Sequence, residues 1–313
     1  MARYICKRLI SLIPIIFGIT LLVFTILHLV PGDPASIMLG TNATPEAIQA
    51  LRESMGLDKP LITQYLDWLG GLFVGDFGQS VHTGEPILPE ILQRFTVTLQ
   101  LSLFAALVGW AIAIPVGILS AVRVHSPFDA IVRMVAMLGI SVPNFAIGSL
   151  LLLILSLYFG WFPPIDVVDF WEDPAEAVKV FILPAVTMGI VLAAGIMRMT
   201  RSAFLETLDK DFIRTARAKG NNQWRVVIGH ALRNSAIPIL TLAGMQMGYL
   251  LGGSVIVEQL FSIPGLGQYI LDGIYQRDYP VVQGGVLFIA LLFVLVNLLV
   301  DILYTWIDPR IKY

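Results

Sequence analysis

Lys210, Arg214 and Arg217 recur at i, i+4 and i+7, so a helix drawn through them carries one basic stripe. Phe212, Ile213 and Ala216 fall on a roughly opposite apolar face. Such a surface makes and breaks no bonds; its chemistry is recognition. It fits the groove of a partner protein or the headgroups of anionic lipid, and the pattern alone leaves both open. The remaining reactive residues exclude much else. The four histidines (His28, His82, His125, His230) are too scattered to form a metal site, and the single Cys6 cannot form an intramolecular disulfide. There is no GxxxxGK[ST] phosphate loop, since no lysine follows a glycine, and there is no HExxH or GxSxG. An ATP-driven process would therefore need a second chain to bind the nucleotide, and an intramembrane hydrolase is disfavoured.

A second group of candidates is polar residues inside apolar runs, where each is a functional hypothesis. Asn144 follows Pro143; it either lines a polar pathway between helices or bonds to backbone freed by the proline. Gln246 either lines that pathway or bonds to a neighbouring helix. Asn297 and Asp301 lie at i and i+4, the spacing of a structural pair, with a proton relay as the alternative. Gly244, Gly248 and Gly252 form a small-residue stripe suited to close helix packing. Glu258 ends an apolar run and reads as solvated.

These residues need elements to position them. The chain has 313 residues, 57% hydrophobic and 13% charged, against about 25% charged in soluble domains. Several apolar runs reach the roughly 20 residues that cross a hydrocarbon core of about 30 Å, and strict alternation, the mark of a membrane barrel, is absent. The fold class is an all-α polytopic membrane protein. Six transmembrane helices are expected at residues 9–30, 96–122, 131–159, 179–199, 236–257 and 281–306. Residues 31–95 form a polar region with two short helices. Thr44 and Pro45 open the first, and Gly56 stops it. The second, from Pro60 to Phe73, lies near the membrane surface with Tyr65 and Trp68. A turn follows at residues 75–78, and another short helix is expected at residues 268–275.

Residues 211–240 form a charged island between two apolar runs. Asp211 is its expected N-cap, and Gly220 fits the left-handed position that ends the first helix. Asn222 caps a second helix whose Trp224, Val227, Ile228, Ala231 and Leu232 recur as an amphipathic face. Six spans place both termini on one side. That side, with the span ends that face it, holds 15 of the 20 basic residues and only 6 of the 22 acids. Because Lys and Arg accumulate in cytoplasmic loops, both termini and the island are expected in the cytoplasm.

The island resembles the EAA loop of binding-protein-dependent ABC importer permeases. That motif reads Glu-Ala-Ala, three residues, Gly, nine residues, Ile, one residue, Leu-Pro. Counted from Gly220, its first part falls on Arg214, Thr215 and Ala216, and its last on His230, Leu232 and Arg233. Ala216, Gly220 and Leu232 match. RTARAKG followed by HALRN is similar to the form found in the dipeptide/oligopeptide/nickel subgroup. So, in order, are the segments at residues 31–34, 56–60, 75–78, 251–253, 261–265, 277–280 and 308–311. The resemblance implies a type I ABC importer permease fold in a prokaryotic inner (cytoplasmic) membrane. The first helix and its tip would occupy 1–30, an extracytoplasmic region 31–95, a five-helix core 96–306 containing a coupling loop at 201–235, and a tail 307–313. It also implies a second homologous permease, two ATPase subunits and an extracytoplasmic substrate-binding protein, all amid membrane lipid and without nucleic acid. This chain would then bear no cofactor; ATP and Mg would sit on the partner ATPases. Asp211, Arg214, Thr215, Ala216, Arg217, Lys219, Gly220 and Leu232 would form the ATPase-coupling loop. Peptide, nickel-chelate and glutathione importers share these motifs. The rival reading, an ion-coupled secondary transporter, calls for inverted repeats and midplane charges, neither of which is evident.

Overall fold

Local chemistry sets most helix boundaries. Ser126 accepts a hydrogen bond from the Asp129 N–H, with Pro127 at the first helical position, and so opens one helix. Asp173 does the same for Ala175 and Glu176, with Pro174 behind it. The computed structural model describes residues 2–29, 35–36, 44–54, 56–164 and 166–307. The segments at 31–34 and 308–311 that entered the family resemblance, and the tail beyond residue 307, lie outside the described residues.

The helices are α1 (Ala2–Leu29), α2 (Pro45–Ser54), α3 (Leu61–Phe73), α4 (Ile87–Val122), α5 (Pro127–Ser141), α6 (Asn144–Phe159), α7 (Pro174–Leu208) and α8 (Asp211–Ala218). A π-helical segment (Arg225–Leu232) follows, then α9 (Arg233–Gly253), α10 (Val255–Leu260), α11 (Leu266–Gln276) and α12 (Tyr279–Ile307). Among the described residues there is no strand, only an isolated bridge between Gln79 and Pro86. Among the described residues five helices are long and apolar enough to cross a membrane, and α5 with α6 makes a sixth if the pair is one span.

The spans depart from expectation in four places; the fifth, expected at 236–257, ends at Gly253, and α10 begins anew at Val255. The expected third span is not one rod: α5 and α6 meet at 103°. Pro143 disfavours helix at the preceding residue, and Val142 is accordingly extended (ψ 126°). The fourth span continues to Leu208, so the front of the expected 201–235 loop is membrane-helix extension, held by buried Ala203 and Phe204. The second span begins at Ile87, nine residues before the expected 96, because Ile87 and Ile91 are fully buried rather than looped out.

The chain divides into two compact units. One comprises residues 1–98 and 264–294. Its core joins Ile87, Ile91, Leu266, Ile270 and Val281, with Phe77, Phe95 and Phe288 packed around them. Buried Asp278 accepts hydrogen bonds from Ser80 Oγ (2.6 Å) and the Val81 N–H (3.1 Å), tying two loops far apart in sequence. Burial of the Tyr269 phenol, with Glu90 and Asp278 nearby, pushes its pKa up to about 12. On α3, Tyr65 turns into α1, where its hydroxyl meets Thr20 Oγ1 at 2.9 Å and its ring meets Phe24 edge-on.

The other unit comprises residues 99–263 and 295–313, and α7 is its axis. Of the α7 span window, 72% is buried, against 17% for α1, so α7 is the helix the others pack on. Small residues allow that. A Cβ on Gly117 of α4 would lie 2.8 Å from the Met197 carbonyl oxygen, and one on Gly189 would lie 2.9 Å from that of Ala105. The α4 and α7 backbones are therefore in contact. Gly244 of α9 similarly admits Val300, as the small-residue stripe anticipated.

Candidate functional site

The basic island is built directly onto the end of α7. The Lys210 N–H donates to the Thr207 carbonyl (3.2 Å), and Lys210 itself, extended at φ −70° and ψ 149°, is the N-cap of α8. Asp211 therefore is not the cap that the sequence pointed to. It is the first helical residue, where its charge suits the helix N-terminus, and it faces Arg214 at 3.4 Å. Thr215 Oγ1 donates back to the Asp211 carbonyl (3.0 Å). Ile213 and Ala216 are the buried face of α8. Phe212, expected beside them, is 41% exposed. Arg214, Arg217 and Lys219 are all exposed.

Gly220 ends α8 in the left-handed region at φ 78°, its N–H donating to the Arg217 carbonyl (2.9 Å). The Asn221 side-chain amide donates to the Ala216 carbonyl (2.9 Å), and Asn222 Oδ1 accepts from the Trp224 N–H (3.3 Å), so Asn222 caps the second helix. That helix is wound as π, not α, over Arg225–Leu232. The winding changes which residues are buried. In an i→i+5 helix Val226 and Ala231 stack one above the other; with Val227 they form the buried face. Trp224 and Ile228, read from an α period as part of that face, swing away and are each 58% exposed. Leu232 is half-buried. The segment is fastened to α7 by buried Ser235, whose Oγ lies 2.9 Å from Thr207 Oγ1 and 3.2 Å from the Ala203 carbonyl oxygen.

Asp211, Arg214, Thr215, Ala216, Arg217, Lys219, Gly220 and Leu232 thus lie on one continuous helix–turn–helix stretch whose exposed surface is basic with three apolar side chains. Asn144 and Gln246 are elsewhere. Asn144 is the first residue of α6, half-buried, immediately after the 103° bend. Gln246 lies on α9 against Gly195 of α7, where an added Cβ would come 2.8 Å from its Nε2. The Gln246 Oε1 is buried and has no hydrogen-bond partner.

In the unit that carries α7, two carboxylates are buried against expectation. Glu258 is fully buried rather than solvated: Ser254 Oγ donates to its Oε1 at 2.6 Å, and its backbone carbonyl accepts from the Ile263 N–H at 2.8 Å. Asp129, also fully buried, accepts from Ser120 Oγ (2.6 Å), the His125 N–H (3.3 Å), and both Nε (2.6 Å) and Nη2 (2.9 Å) of Arg201. The partners sit nine residues before Asp129 and 72 after it. The only local signal was Ser126 three residues before Asp129, the spacing of a capping box.

The family described as binding-protein-dependent transport system inner membrane component matches residues 113–313, and its N-terminal counterpart matches residues 1–102. The chain is 41% identical over 334 residues to the dipeptide transport system permease protein DppB of Alkalihalophilus pseudofirmus, covering both chains completely. It is 41% identical over 313 residues to the glutathione transport system permease protein GsiC of Escherichia coli K12, again over the whole of both. DppB of Escherichia coli K12 is 42% identical over 337 residues, covering 100% of this chain and 99% of that one. Among solved structures, the MetNI methionine ABC transporter in inward-facing conformations matches with a TM-score of 0.56 at 19% identity. That match covers 70% of this chain and 96% of the other, a likeness of fold.

Proposed function

Because this chain belongs to the binding-protein-dependent transport system inner membrane components and is a multi-pass membrane permease, we propose that it forms half of the translocation pathway of an ATP-driven importer of di- or oligopeptides. The observation that carries the reading is the stretch from Asp211 to Leu232, a helical basic and apolar surface joined to α7 by two residues. A groove on an ATPase subunit is its natural complement. The excess of Lys and Arg on its side of the chain supports a cytoplasmic position for it and for both termini, in the inner membrane of a prokaryote.

In this reading the pathway is completed by a second homologous permease. Two ATPase subunits bind ATP and Mg and draw the coupling stretches together, and the spans then open outward to receive ligand from an extracytoplasmic binding protein. Nucleotide binding must stabilise one conformer over the other for this to work. Asn144, at the bend, and Gln246, with its unsatisfied oxygen, are the polar groups offered to the pathway.

Glutathione is the second ligand to consider, since GsiC is as similar to this chain as DppB is. Two measurements test the proposal. Pull-down of the chain from native membranes recovers nucleotide-binding subunits; their absence removes the ATP-driven reading in favour of an ion-coupled carrier. Mass spectrometry of ligand retained by the cognate binding protein then finds dipeptides or longer peptides, whereas a γ-glutamyl tripeptide alone moves the assignment to glutathione.

A further inference from the structure

We infer that the buried Asp129–Arg201 pair is the positioning link that makes the bent α5–α6 element move with the coupling stretch; the inference rests on the importer reading above. The geometry begins at α8. Only Asp209 and Lys210 separate it from α7, so any displacement of α8 acts on the end of α7. Arg201 lies seven residues before that end, and it holds Asp129 in the first turn of α5 through two parallel hydrogen bonds of 2.6 and 2.9 Å. Ser120 of α4 closes the cluster at 2.6 Å. Arg133 stands at its margin, 3.6 Å from Asp129 and largely exposed.

Further along, α5 meets α7 through small residues, with Gly139 against Ala194. A small-residue contact resists separation but lets one helix slide along the other. A guanidinium chelating a carboxylate resists sliding, because both donors must stay in register with both oxygens. The ion pair therefore fixes the register of α5 on α7, and α5 behaves as an arm of the helix that carries the coupling stretch. The motion emerges at residues 142–143, where the chain turns by 103° into α6. There Gly148 packs against Leu260, Phe261 and Thr187.

Removing one member strands a buried charge, so single substitutions report only on folding. Replacing both by apolar residues of similar volume is usually tolerated by the fold. The decisive variant is therefore Asp129→Leu with Arg201→Met, together with Ser120→Ala so that no hydroxyl is orphaned. It is compared with the parent chain in the complete importer, in nanodiscs. The one native cysteine is replaced (Cys6→Ser), and spin labels are placed at the exposed positions Met134 on α5 and Glu206 on α7.

In the parent, the label-to-label distance is the same in nucleotide-free and ATP-trapped complexes, because both positions lie on one body. In the triple variant it becomes nucleotide-dependent, and solute moved per ATP hydrolysed falls about tenfold, in the range of ordinary coupling energies. Either readout remaining at the parent value overturns the inference. A variant that fails to assemble overturns it as well, since the pair is then a folding element only. If the parent complex contains no ATPase, or its hydrolysis is not tied to transport, the importer reading itself has failed, and that outcome is visible without the variant.

Discussion

A Gly220→Pro chain reaches the membrane in normal amount and imports no ligand. The reason is local. Gly220 turns the chain between α8 and the π-helical segment at φ 78°, with its N–H bonded to the Arg217 carbonyl at 2.9 Å. Proline holds φ near about −65° and has no N–H, so it removes both the turn and the bond. A Cβ built on Gly220 meets nothing within 4 Å. Crowding therefore plays no part, and the effect isolates backbone conformation. Gly220→Asn is the control, because asparagine visits the left-handed region readily, whereas an ordinary residue there costs about 1–2 kcal/mol. Uptake of a labelled peptide, normalised to membrane abundance by immunoblot, is lost with proline and largely kept with asparagine. Wild-type uptake by the proline variant would remove the hinge role of Gly220.

Gly117→Val acts differently: it prevents the permease from packing. A Cβ at Gly117 lies 2.8 Å from the Met197 carbonyl oxygen and 2.7 Å from Thr200 Cβ. The first of these is backbone of the axial helix and cannot rotate away. Overpacking of this kind costs about 1–3 kcal/mol, and relief requires α4 to separate from α7 along their crossing. We expect a lower thermal unfolding midpoint of the purified complex and a reduced yield of assembled permease. Gly18→Ala in α1 provides the comparison, since a Cβ there meets nothing within 4 Å; it leaves both quantities unchanged. Equal stability of the valine variant would mean that α4 and α7 do not touch at backbone distance.

Gly220 was legible in the sequence because a left-handed helix end leaves a residue-type signature, and Asn222 because a cap does. Spans were legible from apolar length. Their ends were not, where helix continues past the membrane run: nothing in residues 200–208 breaks a helix, so α7 proceeds to Leu208. The N-cap was read one residue late because Asp211 looks like a cap, whereas Lys210 takes the extended conformation without any side-chain cap bond. Trp224 and Ile228 were read with Val227, Ala231 and Leu232 as one apolar face by assuming an α period, and π winding cannot be inferred from spacing alone. The break at Pro143 was visible as a proline; its 103° angle was not. Asp129 and Arg201 illustrate the deepest limit. Their pairing joins residues 72 apart, and no periodicity within either helix points to the other.

The exposed trio Phe212, Trp224 and Ile228 bears on the life of the newly made chain. In the chain by itself these side chains are 41%, 58% and 58% exposed. Exposed apolar surface on a coupling stretch suits an unfilled interface, and it is also what chaperones and proteases recognise in triage. We therefore expect surplus permease to be marked for disposal until a partner covers the mark, so that subunit ratios are corrected after synthesis rather than only during it. Pulse-chase of the chain with and without its ATPase partners reads this directly: a shorter half-life in their absence is expected, and equal half-lives contradict it.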